Sequence, residues 1–119
     1  MTLERIKDDT YSILRRLNLL ENRGGTASVD AGFTISSVGG IDTYFVSCPS
    51  GNVLIILPNA NKSQGRYFTF KKTDNVNTVF IQPVESQPID NSLTYSLTTQ
   101  YQSVTIVSDG NQYYITSTV

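Results

Sequence analysis

The sequence predicts a mainly β fold, an eight-stranded sandwich or jelly roll, preceded by an N-terminal coiled-coil-like helix that makes the protein trimeric. Three observations predict this fold. Apolar residues recur at heptad spacing up to Leu20, alternation typical of strands follows Gly24 and Gly25, and charged residues make up only 16% of the 119 residues. We therefore divide the chain into a helix over residues 1–23 and a β domain over residues 24–119.

The N-terminal segment is predicted to be helical from residue 2 to residue 21, where Gly24 and Gly25 follow as a stop signal. Its seam residues are Leu3, Ile6, Thr10, Ile13, Leu17 and Leu20, at spacings of 3, 4, 3, 4 and 3. Leucine at the a positions with isoleucine at d favours three or four strands over two, and our interpretation is a trimer. The alternative is one amphipathic helix that packs on its own sheet, which Leu14 and Leu19 also permit.

The β domain is predicted to hold eight strands with no helices between them, which suggests a sandwich or jelly roll. Asp109 and Gly110 are a hairpin signal between the last two strands, and Pro83 belongs at a strand end because it has no ladder donor. The predicted strands cover residues 28–36, 43–48, 52–57, 66–72, 78–83, 94–98, 102–108 and 112–117.

The run VLIIL at residues 53–57 is apolar at every position. By contrast, Val104 and Ile106, and likewise Phe68 and Phe70, alternate with their neighbours and are predicted to point inward. One face of a strand in a monomeric sandwich is usually polar. The run is therefore either central with both faces covered or located where subunits meet. Together with the heptad seam, it leads us to predict that Val53, Ile55 and Leu57 belong to the trimer interface.

The sequence predicts no catalytic, cofactor or metal site. It has no histidine, which removes imidazole as base, acid or ligand. The carboxylate pairs available for acid-base work are Glu85 with Asp90 and Asp42 with Asp74, but turn-like surroundings favour a solvated or capping role. A calcium-loop pattern beginning at Asp74 fails after one acid.

Charge and hydropathy restrict the partners. The net charge of −1 lacks the basic excess that a phosphate backbone requires, so we expect no nucleic acid partner. No apolar stretch approaches the roughly 18 residues of a membrane span, and we expect no membrane. Acidic residues interrupt the first nine positions, where a signal peptide would be apolar, so we expect assembly in the cytoplasm. The single cysteine, Cys48, is predicted to be a small buried residue.

About half of the chain resembles a β domain that recurs in virion proteins of tailed bacteriophages. The resemblance lies in the segments LPNA (57–60), GRYFTFKKTD (65–74), VFIQP (79–83), QPID (87–90) and QYQSVTIVSDG (100–110). Such domains occur in tail fibres, baseplate-associated proteins and head decoration proteins, commonly as trimers. The pattern often has glycines beside its Pro-Ile-Asp segment and a tryptophan in its last strand, whereas this chain has Asn91 and Tyr113 there.

The resemblance implies a non-enzymatic virion protein, and the short chain favours a homotrimeric capsid decoration, or cement, protein that contacts the major capsid protein. The alternative is a short tail fibre or baseplate-associated receptor-binding protein, whose loops at 86–92 or 109–112 meet a host glycan or protein. A third hypothesis is a small enzyme that acts on cell-surface sugars through Glu85 or Asp90.

The heptad seam generates a prediction about assembly. Ile13→Asp places a charge in the apolar seam and should weaken the trimer, which the mass in solution reports. An unchanged mass would indicate that the helix packs on its own domain.

Overall fold

The computed structural model describes residues 25–38 and 41–119, and the predicted helix with its seam lies outside them. The described residues form nine strands, so the expected mainly β architecture is confirmed. The strands are β1 (Gly25–Val29), β2 (Phe33–Thr34), β3 (Ile41–Val46), β4 (Val53–Leu57), β5 (Tyr67–Lys72), β6 (Val79–Pro83), β7 (Tyr95–Leu97), β8 (Ser103–Ser108) and β9 (Tyr113–Thr118). They make a first sheet of order β1-β3-β5-β8-β9 and a second of order β2-β4-β6-β7.

From β1 to β6 each strand lies in the sheet opposite to the strand before it, so the chain coils through both sheets. Strands on successive turns of the coil are therefore parallel: β1, β3 and β5 in the first sheet, and β2, β4 and β6 in the second. Parallel neighbours need a long crossover connection, and here a strand of the other sheet supplies it. The last three strands, β7, β8 and β9, pair antiparallel and end the coil.

The sequence predicted a sandwich or a jelly roll, and the parallel pairs of the two mixed sheets differ from the antiparallel pairing of a jelly roll. One predicted strand was wrong. Residues 28–36 are not continuous, because the chain turns at Asp30, Ala31 and Gly32 and passes from the first sheet to the second. At Gly32 an added Cβ would lie 2.7 Å from the Leu54 carbonyl oxygen, so only glycine permits this close approach to β4. Side-chain alternation reports which face of a strand is buried but not the direction of its neighbours, which is why the parallel pairing escaped prediction.

The second turn of the coil consists of β3 and β4 and the third of β5 and β6, and the two turns match residue for residue. Thr43 pairs with Thr69 in the first sheet and Val53 with Val79 in the second, and both pairs are 26 residues apart. The connections between these strands, residues 47–52 and 73–78, are consequently equal in length and lie side by side. Asn52 Oδ1 accepts a hydrogen bond from Thr78 N at 2.9 Å, which joins the two connections.

The core lies between the sheets and consists of their inward-facing side chains. Phe68 and Phe70 of β5 and Val104 and Ile106 of β8 are buried from the first sheet, as the alternation predicted. The rings of Phe33 in the second sheet and Tyr44 in the first lie 5.3 Å apart, which shows the sheets in direct contact. The further core members include Val46, Val53, Ile55, Leu57, Val79, Ile81, Ile89, Leu97 and Tyr113.

The fully buried position of Ile106 predicts a large effect of truncation. Ile106→Ala leaves a cavity between the sheets and should lower the free energy of unfolding by about 2–5 kcal/mol. Ser103→Ala, on the outward face of the same strand, is the control and should change it by less than ~0.5 kcal/mol. Denaturant titration measures both variants, and equal values would contradict the assignment of the inward face.

Candidate functional site

The structure corrects the predicted interface role of the 53–57 run. Val53, Ile55 and Leu57 are 3%, 0% and 0% exposed and belong to the core of their own chain. Side chains packed against the facing sheet of the same molecule cannot also contact another subunit. β4 lies between β2 and β6 and carries apolar residues on both its buried and its outer face, so the run does not alternate.

The opposite face of β4 presents an apolar surface that we call the outer strip, formed by Leu54, Ile56 and Phe80. Leu54 is 41% exposed and pairs with Phe80 of β6, while Ile56 and Phe80 are half-buried. Paired residues on adjacent strands project from the same face, so the three side chains form one continuous patch. The missing alternation in residues 53–57 was the sequence signal for this patch, although sequence reasoning assigned it to the wrong face.

The candidate acids lie apart. Asp42 is the second residue of β3, and Asp74 lies two residues after the end of β5. The parallel register places them at opposite ends of the first sheet, roughly 20 Å apart at the usual rise per residue. Asp42 contacts the guanidinium of Arg66, whose Nε donates to Oδ1 at 2.9 Å.

Glu85 and Asp90 bind different parts of the chain. Glu85 Oε2 accepts from Asn59 Nδ2 at 3.1 Å, and Asp90 Oδ1 accepts from Ile115 N at 3.2 Å. Both residues have positive φ values, 58° and 47°, in the connection between β6 and β7. Each carboxylate therefore ties the β6–β7 connection to a different part of the chain, and these hydrogen bonds do not join the two in one acid-base pair.

Asp74 belongs to a buried polar cluster around Lys72, which sequence analysis did not anticipate. The Lys72 side chain is fully buried, and its Nζ donates to Asp74 Oδ1 at 2.6 Å and to the carbonyl oxygens of Asp74 and Val76, each at 2.8 Å. The ammonium thus occupies the centre of a carboxylate and carbonyl ligand set where the calcium-like pattern begins. A buried charge needs such compensation, and three acceptors satisfy its three donors.

The same cluster fixes the two matched connections to each other. Asp74 Oδ2 accepts from the backbone N–H of Cys48 at 2.7 Å, and Asn77 Nδ2 donates to the Cys48 carbonyl at 2.6 Å. Cys48 itself is buried, as predicted, and burial raises the pKa of its thiol. The hydrogen bond from Lys72, followed by that from Cys48 N, lowers the pKa of Asp74 below its ordinary value of 3.8.

The two loops proposed as receptor contacts lie side by side. Ile89 forms a parallel bridge with Tyr113, and Asp90 N donates to the Tyr113 carbonyl at 3.2 Å. The predicted hairpin at Asp109 is present as a four-residue turn, in which Asp109 Oδ1 accepts from the N–H groups of Asn111 and Gln112 at 2.8 and 2.9 Å. The loops therefore form one ordered end of the domain.

Two further properties concern only the described residues. Over 25–38 and 41–119 no cluster of three or more cysteine, aspartate or glutamate side chains is arranged to hold a metal ion. Within that same part of the chain no helix has the length and apolarity needed to cross a membrane.

Comparisons with known proteins do not indicate a function for this chain. A scan against models of protein families finds no match, and a search of curated proteins finds no significant relative.

The Asp74 cluster predicts a specific acid dependence of stability. Because the folded pKa of Asp74 is lowered, its contribution is complete above the ordinary value of 3.8 and is lost as the pH falls through the folded pKa. Asp74→Asn should therefore flatten the fall in melting temperature that wild type shows on acidification below about pH 4. Asp30→Asn removes the same charge from an exposed turn, and a similar flattening in that control would contradict the assignment.

Proposed function

We propose that the chain is a non-enzymatic structural protein of a phage virion, a homotrimer that decorates the capsid and stabilises the head. In this proposal the heptad seam over residues 3–20 holds the trimer, and the β domain contacts the major capsid protein. Assembly takes place in the host cytoplasm. The observation that carries the proposal is the outer strip of Leu54, Ile56 and Phe80 on the solvent side of the second sheet.

The outer strip supports a contact because its apolar area is not needed by the fold. The core is already filled by the opposite face of the same strands, including Val53 and Ile81. Covering the strip with a partner would stabilise the assembly by about 25 cal/mol for each Å² of apolar surface removed from water. An apolar patch at the middle of a sheet is typical of an interaction surface when its surroundings are polar, as Thr34, Gln82 and Ser96 are here.

The size of the outer strip fits attachment better than subunit assembly. Three partly exposed side chains offer far less area than an obligate interface, which typically buries about 2,000 Å² or more. A weak contact of this kind becomes effective when a trimer presents three copies to neighbouring capsid subunits. The seam and the strip therefore have separate tasks: assembly for the first and attachment for the second.

The ion pairs Arg66–Asp42 and Lys72–Asp74 support a structural role. Lys72 and Asp74 hold two connections together, and Arg66 joins the start of β3 through Asp42 and the carbonyls of Ser36 and Ile41, at 2.8 and 2.9 Å. These groups hold the turns of the coil together.

A second candidate, a short tail fibre or baseplate-associated receptor-binding protein, is favoured by the paired loops at 86–92 and 109–112. The Ile89–Tyr113 bridge combines them into one end surface. Binding of the purified trimer to host cells and not to heads would favour this candidate over decoration.

The division of tasks predicts distinct effects of two substitutions. Leu54→Asp places a charge in the outer strip and should weaken binding to heads assembled without this chain at least about tenfold, a loss of ~1.4 kcal/mol, while the mass in solution stays that of a trimer. Ile13→Asp should lower that mass and, through lost multivalency, weaken head binding as well. Light scattering and co-sedimentation with heads measure the two properties.

Thr26→Asp is the matched control, since it adds the same charge to an exposed position on the first sheet. It should leave both mass and head binding unchanged. Head binding by Leu54→Asp equal to that of wild type would contradict the role of the outer strip, and a wild type that never binds heads would contradict decoration itself.

A further inference from the structure

Two exposed tyrosines project from the outer face of the first sheet on either side of one valine. Tyr67 of β5 and Tyr114 of β9 both pair with Val107 of β8, and their side chains are 54% and 39% exposed. Residues opposite each other in antiparallel strands share a face, and the neighbours Phe68, Ile106 and Tyr113 point into the core. The two rings thus originate about 10 Å apart, twice the ~4.8 Å spacing between strands.

The surface beside these rings is rich in hydroxyl groups. Thr69 and Thr105 form the next row of the same face, and their Oγ1 atoms lie 3.0 Å apart in a hydrogen bond. Gln112 donates a hydrogen bond through its side-chain amide to the Tyr114 hydroxyl. Hydroxyl and amide groups that both donate and accept can exchange these internal bonds for bonds to a ligand.

The outer face is also nearly uncharged. The outward positions of β5 and β8 are Tyr67, Thr69, Lys71, Ser103, Thr105 and Val107, so Lys71 is their single charged residue. A polyanion such as a nucleic acid requires several cations along its path, and this face does not offer them. Its electrostatic complement is a neutral ligand.

We propose that the tyrosine face, defined by Tyr67, Val107 and Tyr114, binds a neutral polysaccharide. A pyranose ring has an apolar C–H face and a polar rim of hydroxyls, and an exposed tyrosine has the matching apolar ring and polar end. The separation of the two tyrosines corresponds to about two linked sugars, so one chain can cover both rings across Val107. The rings would stack on sugars while Thr69, Thr105 and Gln112 bind their hydroxyls.

This site is independent of the proposed capsid contact. The tyrosine face belongs to the first sheet, whereas the outer strip belongs to the second, so a head-bound trimer can keep the tyrosine face exposed to solvent. Glycan binding therefore adds an activity to the domain whichever part of a virion carries it.

Affinity electrophoresis of the full chain tests the proposal with soluble β-1,3-glucan, galactomannan and dextran as probes, and with polygalacturonate as an anionic comparison. At least one neutral polysaccharide should retard the wild type. Tyr67→Ala and Tyr114→Ala should each weaken that binding about three- to tenfold, the effect expected for one aromatic contact. Tyr67→Phe should retain it, and Leu93→Ala, an exposed apolar residue elsewhere, should not change it.

NMR spectra of the wild-type protein test the same site without any variant, so the result does not depend on how the variants fold. Titration with the retarding polysaccharide should shift the ring signals of Tyr67 and Tyr114 and leave that of buried Tyr113 in place. Retardation by none of the neutral probes, retardation by polygalacturonate alone, or shifts confined to other residues would each overturn the proposal.

Discussion

The packing of the two sheets against each other determines what the rest of the molecule can do. Apolar side chains from both sheets share one core, in which Tyr44 contacts Phe70 within its sheet and Phe33 across to the other. This core occupies the facing sides of the two sheets. Any contact with a partner must therefore use the outward faces, the exposed edges or the loops, and the outward faces differ in chemistry: the second sheet has an apolar strip and the first has tyrosines among hydroxyls.

The coiled path of the chain imposes a second constraint, since its turns must remain in register over both sheets. Matched spacing of 26 residues brings the connections at 47–52 and 73–78 together. Lys72 is buried at the end of β5, where the chain leaves the first sheet. Its charge is stable there only because Asp74 and two carbonyls surround it. Asp74 in turn holds Cys48, so the buried charge also specifies which connections pair.

The sequence was sufficient for local features and insufficient for their arrangement. Alternation identified the buried faces of β5 and β8, and the turn residues located the hairpin at Asp109. Parallel pairing was not predictable because a period of two is the same in parallel and antiparallel sheets. The apolar run over 53–57 indicated two apolar faces, but only the position of the facing sheet decides which face is core and which is the outer strip.

The candidate sites escaped prediction because strand pairing, which the sequence does not specify, brings their residues together. In the run FKK, Lys72 has the pattern of a surface residue. It is buried because the alternation that places Phe68 and Phe70 inside places Lys72 on the same face. Its partners on the next connection were not foreseen. Tyr67 and Tyr114 are 47 positions apart in the sequence, and only the pairing of both strands with β8 brings them to one face. Sites assembled by strand pairing carry no local sequence motif.

Structural decoration of a virion is the central claim, and electron cryomicroscopy of the intact virus particle tests it most directly. The account predicts threefold clusters of density that fit this two-sheet domain, repeated over the icosahedral shell, with the second sheet turned toward the capsid. A shell without such density, or density confined to the tail, would contradict it.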